Sequence, residues 1–209
     1  MIIPARIPRL LTCLYPTRVW KIPTAEKELF ITFDDGPDPR ITSRVLDVLA
    51  AHGAKASFFC VGDRVARFPE LYGRILDEGH AVGNHTHHHL NGWKTSNHDY
   101  WADVDKASHF IDSCLFRPPY GRIRSKQAEQ LSKRGFKTIM WTVLSGDYDA
   151  SLSKEACARR VLGPFEQGSI YLFHDAEKAE KNMFHALEKL LETAGSAGFR
   201  FEKINPNAW

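Results

Sequence analysis

Short apolar runs recur along this chain, each ending in a polar cluster. Between them lie stretches whose apolar residues return every three or four positions. Residues 29–33 form the first run (Leu29, Phe30, Ile31, Phe33) and read as a buried strand. It stops at Asp34 and Asp35, where Gly36 and Pro37 turn the chain. Val45, Leu46, Val48 and Leu49 predict a helix closed by Gly53, and residues 55–61 predict a second strand. Val65, Leu71, Ile75 and Leu76 predict one helix over 64–77, closed by Gly79. A short strand over 81–83 then runs into Asn84, His85, Thr86, His87, His88 and His89. Further on, the pattern predicts helices over 99–114, 125–134 and 154–162, and strands over 137–143, 169–173 and 200–204. A long helix carries Met183, Leu187, Leu190, Leu191 and Ala194 on one face.

Strands alternate with helices through short connections, which indicates a parallel α/β architecture, either an open doubly wound sheet or a closed barrel. Asp34–Asp35, the histidine run, Arg117 to Tyr120, Asp147 and His174 each follow a predicted strand. An open sheet gathers function near one switch point, whereas a barrel gathers it at the carboxyl ends of many strands. The expected fold is therefore a distorted (β/α) barrel of about seven parallel strands, with the site at their C-terminal ends. Residues 28–209 would form that domain, with residues 1–27 packed on it or leading into it.

The 209 residues suit one domain. A net charge of +3 without a basic cluster interleaved with aromatics argues against nucleic acid as partner. No apolar run approaches the ~20 residues of a membrane span. Arg6, Arg9 and Arg18 flank a short apolar piece over 10–15 that Pro4, Pro8 and Pro16 punctuate. It lacks the clean core of a secretory signal, so a cytoplasmic location is expected, with a patch resting on a membrane surface as the alternative. Cys13, Cys60, Cys114 and Cys157 are widely spaced and read as buried free thiols.

Two adjacent carboxylates at a strand end point in different directions, so Asp34 and Asp35 can do different work. Taken alone, Asp-Gly-Pro is a polar turn, and a lone His-x-x-x-His is a solvated one. Together they supply what a divalent ion such as zinc takes: imidazole nitrogens of His85 and His89, four apart on one side of a helical turn, and a carboxylate of Asp35. His87 and His88 then point elsewhere. His85-Thr86-His87 also matches the His-x-His of metallo-β-lactamases and amidohydrolases, but the Asp-His continuation of the former is missing. The latter carry the pair on the first strand rather than after the third.

With these residues in place, the chain from Leu29 to Ile204 resembles the polysaccharide deacetylases of carbohydrate esterase family four, the NodB-homology group. Thr32-Phe33-Asp34-Asp35-Gly36 matches the first motif of that family, which implies Asp34 as catalytic base and Asp35 as metal ligand. His85-Thr86-His87-His88-His89 matches the second and implies His85 and His89 as ligands. Arg117-Pro118-Pro119-Tyr120 matches the third. It implies an arginine that orients the base, an oxyanion donor in the main-chain N–H of Tyr120, and Pro119 beside the substrate. Leu172-Phe173-His174 matches the fifth, implying His174 as general acid. The fourth motif departs from the family's Asp-x-x-Asp-Trp. Asp147 keeps the second aspartate, partner of the histidine; Leu144 replaces the first, and Tyr148 replaces the tryptophan as an aromatic wall for the substrate.

The resemblance implies a hydrolase that removes N-acetyl groups from amino-sugar glycans of chitin or peptidoglycan type. It would use one divalent metal, zinc first and cobalt, nickel or manganese as alternatives. A site of this kind also suits an O-acetyl ester or a lipid-linked sugar. A non-catalytic carbohydrate-binding barrel is the alternative of another class, although it would need neither Asp34 nor His174.

Overall fold

The computed structural model describes residues 4–208. Eight strands run side by side in the order β1-β6-β5-β4-β3-β2-β8-β7, and a ninth pairs with one end of β2. The central strand is β2 (Glu28–Asp34), flanked by β3 (Ala56–Cys60) and β8 (Ile170–His174). Beyond β3 come β4 (Ala81–Asn84), β5 (Leu115–Phe116), β6 (Lys137–Ile139) and β1 (Arg18–Val19). β7 (Val143–Leu144) lies outside β8, and β9 (Arg200–Phe201) meets β2 at Glu28 and Leu29. Every one of these pairings is parallel. The sheet curls into the expected barrel-like α/β fold.

Alternation along β2 sorts the chemistry. Leu29, Ile31 and Phe33 face the helices and join the larger core, where Phe33 stacks on Phe58 (5.0 Å) and packs against Phe173 (5.9 Å). Phe30 belongs to a second cluster with Phe59, Leu115, Ile139 and Ile170. Thr32 and Asp34 follow Phe30 at a period of two and so share its face. Outside the sheet, α2 (Ile41–Ala51), α7 (Lys154–Val161) and α8 (Glu180–Ser196) bury their apolar stripes in the larger core. On the far side, α5 (Asn97–Ser108) and α6 (Ser125–Lys133) cover β5 through Tyr100, Val104 and Leu131.

Three expectations are corrected. The helix expected over 64–77 is two: α3 (Gly62–Arg67) ends before Pro69, which opens α4 (Pro69–Asp77). Proline has no N–H to continue a helix and suits its first turn. The strand expected over 137–143 is broken into β6 and β7. The carbonyls of Ile139 and Met140 turn to the buried Arg117 side chain instead of the ladder. Two of the four cysteines, Cys13 and Cys114, are exposed. The piece over 10–15, given no element from the pattern, belongs to α1 (Arg9–Leu14).

The segment around α1 also meets the seam between the two ends of the sheet. Ile7 donates to the carbonyl of Thr142, and Leu144 donates to that of Ala5. Lys21 bridges Ser169, and Ile22 donates to Gly168.

Candidate active site

The carboxyl ends of β2, β4, β5 and β8 open into one cleft lined by Asp34, Asp35, His85, His89, Tyr120, Tyr148 and His174, among others. Seven residues predicted from widely separated motifs thus meet. Asp34 ends β2 on the face that carries Thr32. One Arg117 nitrogen, Nη1, donates to both, at 2.8 Å to Asp34 Oδ1 and 2.7 Å to Thr32 Oγ1. Arg117 is fully buried; its Nε and Nη2 donate to Ile139 and Met140 carbonyls, and its guanidinium lies 4.0 Å from the Phe59 ring centroid. A buried guanidinium is stable only when its donors are met. Main-chain carbonyls meet them here, so Arg117 keeps its place although Leu144 supplies no carboxylate.

Strand alternation would send Asp35 to the other face. It returns to the cleft because its backbone is left-handed, at φ 82°. Thr86 (φ 62°), His89 (φ 55°) and Tyr120 (φ 61°) share that conformation, and these four are the non-glycine residues with positive φ among the described residues. Each such residue costs about 1–3 kcal/mol and persists only where its surroundings force it. The loop from His85 to His89 is accordingly not the helical turn expected from the spacing. Thr86 donates its N–H to Asn84 Oδ1, and its own Oγ1 accepts from Leu90. At Gly36 the constraint is steric: a Cβ there would fall 2.0 Å from Asp175 Oδ2.

Asp35, His85 and His89 each offer a ligand atom, and these atoms lie within 4.8 Å of one another. His85 Nδ1 donates to the Arg117 carbonyl (2.7 Å), which leaves Nε2 as the lone-pair nitrogen, 3.8 Å from Asp35 Oδ1 and from Asp34 Oδ2. Burial lowers the His85 pKa to about 4 despite the Asp34 and Asp35 carboxylates, so the ring is neutral. His89 Nε2 lies 3.0 Å from Asp35 Oδ1, and its Nδ1 lies 3.2 Å from the Tyr120 hydroxyl. Burial alone would raise the Asp35 carboxyl. The hydrogen bond from His89 and the positive charge of His174 hold it well below the usual carboxylate value. Two imidazoles, each with its second nitrogen engaged, plus one ionised carboxylate is a donor set that fits a zinc-like divalent cation. His87 and His88 do point elsewhere, onto Phe110 and Asp103.

His174 ends β8 directly opposite Asp34 in the register of the paired strands. Its Nδ1 donates to Asp147 Oδ1 (2.8 Å), and its main-chain N–H donates to Asp147 Oδ2 (2.7 Å). Burial would lower this imidazole, but Asp147, Asp35 and Asp34 outweigh it and raise the pKa to about 9. Tyr148 packs edge-on against the ring at 5.0 Å.

Pro119 is buried and is not brought to the cleft; Tyr120, at the apex of the same tight turn, is. Trp141 lines the cleft from the break between β6 and β7. Two further residues escaped the motif reading. Lys178 donates to Asp35 Oδ2 at 2.8 Å. Asp175 accepts from Gly36 N–H (3.0 Å) and from Thr42 Oγ1 (2.5 Å), and burial raises its pKa to about 8. The position of Asp175 beside His174 was a signal for it; nothing in the pattern singled out Lys178.

Comparison with known proteins bears on the family and the fold. The polysaccharide deacetylase family model matches residues 21–139. The peptidoglycan-N-acetylglucosamine deacetylase of Bacillus cereus (strain ATCC 14579) is 35% identical over 192 residues, covering 89% of this chain and 90% of that protein. The chitooligosaccharide deacetylase of Azorhizobium caulinodans is 30% identical over 162 residues, covering 74% and 77%. Among solved structures, the Bc1960 peptidoglycan N-acetylglucosamine deacetylase superposes with a TM-score of 0.85 at 30% identity, over 95% of each chain. The fold, the matched motifs and these relatives lead to one conclusion: the chain belongs to the polysaccharide deacetylase family, the enzymes of carbohydrate esterase family four.

Proposed function

We propose that this enzyme removes N-acetyl groups from amino-sugar glycans of peptidoglycan or chitin-oligosaccharide type, with one divalent cation, zinc first, held by Asp35, His85 and His89. The observation that carries the reading is the pairing of Asp34 and His174 as register neighbours on β2 and β8, beside that ligand set. When bound, the cation supplies Lewis acidity and lowers the pKa of water from 15.7 toward ~7.

Asp34, oriented by Arg117 through Oδ1, has Oδ2 turned toward His85 and takes a proton from the water that attacks the acetyl carbonyl. The N–H of Tyr120 donates to the oxygen on which negative charge develops. His174, charged through its hydrogen bond with Asp147, gives its proton to the departing nitrogen as the C–N bond breaks. Acetate and a free amine result. Tyr148 and Trp141 wall the sugar. A protonated His174 favours the amide over an O-acetyl ester, because an amine leaves poorly without a proton whereas an alkoxide depends on it less.

Acetate release from N-acetylglucosamine oligomers and from peptidoglycan, with and without chelator, tests the reading. Metal-loaded enzyme is expected to release acetate and chelated enzyme to lose that activity. Metal-loaded protein that binds these glycans but frees no acetate would instead favour a binding barrel.

A further inference from the structure

Beside the cleft, at the Arg122 end of its lining, lie side chains that the reaction above leaves unused. Trp93, in the loop after β4, is 58% exposed, yet the loop is firmly held. Gln127 Nε2 donates to the Gly92 carbonyl (3.0 Å), and Arg124 donates to the carbonyls of Trp93 (2.6 Å) and Thr95 (3.0 Å). The Trp93 N–H is taken by Asn91 Oδ1 at 3.0 Å. A Cβ on Gly92 would come within 2.6 Å of the Arg122 carbonyl, so this loop and the Arg122 segment are in the closest contact. A braced loop that holds an indole in water forgoes burial worth ~25 cal/mol per Å², and folding gives no reason for it.

The partner of that indole is Arg122, whose guanidinium lies 5.2 Å from the ring centroid and which itself lines the cleft. Arg117 and Arg124 spend their donors on protein acceptors. The Arg122 side chain has no hydrogen bond or ion pair among the described residues. Charges elsewhere in the cleft are matched: Asp34 with Arg117, Asp147 with His174, Asp35 with Lys178. Arg122 is therefore surplus positive charge, and a bound divalent cation adds to it.

We propose that Trp93 and Arg122 form a subsite for the sugar unit next to the one being deacetylated, and that this neighbouring unit carries a carboxylate. The indole takes the apolar face of the ring, and the guanidinium fork pairs with the two carboxylate oxygens. The inference rests on the deacetylase reading and adds a substrate class to it: glycans in which an N-acetylated sugar adjoins an acidic one.

The test compares an oligosaccharide that alternates N-acetylglucosamine with a carboxylate-bearing sugar against the same oligosaccharide with its carboxylates methyl-esterified. Wild-type metal-loaded enzyme is expected to prefer the acid form in kcat/KM by roughly 10–100-fold, the worth of a charge-assisted hydrogen-bond pair. That preference should shrink in high salt. Arg122→Gln should bring the ratio close to one, mainly through KM, and Arg122→Lys should keep part of it. Trp93→Ala should lower kcat/KM on both forms by similar factors. Calorimetric binding of both glycans to metal-loaded Asp34→Asn, with and without Arg122→Gln, separates the two readings. No acetate release from wild type, combined with Arg122-dependent binding of the acid form, would sink the deacetylase reading and leave the subsite standing. Acetate release with an acid-to-ester ratio that Arg122→Gln leaves unmoved, in turnover and in binding, would overturn the subsite.

Discussion

The two sides of the cleft reach their geometry by different means. On the side of β2, β4 and β5, Asp35, Thr86, His89 and Tyr120 are all held in left-handed backbone, and two of the three proposed metal ligands, Asp35 and His89, are among them. On the side of β7 and β8, no described non-glycine residue has positive φ. There His174 is fixed by two hydrogen bonds to one buried carboxylate, Asp147. Strained backbone aims a side chain that strand alternation would misdirect. A hydrogen-bonded partner sets a protonation state. A cation site calls for the first and an acid for the second.

The largest expected effect breaks the strained side. Asp35→Ala or His85→Ala removes one of three ligands, and metal measured after dialysis should fall below one equivalent, with acetate release lost. Full retention of tightly bound metal would place the cation elsewhere. On the other side, His174→Ala should cost roughly 10²–10⁴ in turnover on an amide and distinctly less on an aryl acetate. Equal losses on both would remove the acid role. Because the folded pKa of His174 is about 9, amide turnover should fall as pH rises through that value, the acid form being lost. Asp147→Asn should move that limb to lower pH, because the main carboxylate that raises the imidazole is gone.

A smaller effect is expected outside the reacting groups. Asp175 titrates near 8 when folded against an ordinary 3.8, so the folded protein holds its proton where the unfolded chain has lost it. Stability should therefore decline between about pH 4 and pH 8 on this account. Asp175→Asn, which keeps an acceptor for Gly36 and has no charge to bury, should flatten that decline in denaturant titrations. An unchanged slope would mean that Asp175 is ionised in place. The smallest effect sharpens the strain argument. Tyr120→Gly should leave stability level or raise it by up to ~1 kcal/mol, because glycine accepts positive φ and the tyrosine is 61% exposed. A clear loss of stability would deny strain at that turn.

Much of the fold and of the reacting set was legible in the chain. Residues 29–33 read as a strand because an apolar run ended in charge, His85 and His174 stood out because each followed such a run, and Arg117 stood out through the Arg-Pro-Pro-Tyr motif. What stayed hidden depends on contacts between distant segments. The split of 137–143 required knowing that a buried Arg117 would claim two carbonyls. His-x-x-x-His spacing fits a helical turn equally well, and only Asn84 and the dihedrals of Thr86 and His89 decide otherwise. Lys178 lies outside every motif and is found only through its distance to Asp35. Trp93 reads as one aromatic among several until its loop is seen braced in water.

The most direct test of the central claim is acetate release from an N-acetylglucosamine oligomer by Asp34→Asn, with metal content determined on the same sample. The account predicts one equivalent of divalent cation, as in wild type, and turnover lower by roughly 10²–10⁴. Undiminished turnover at full metal occupancy would contradict it.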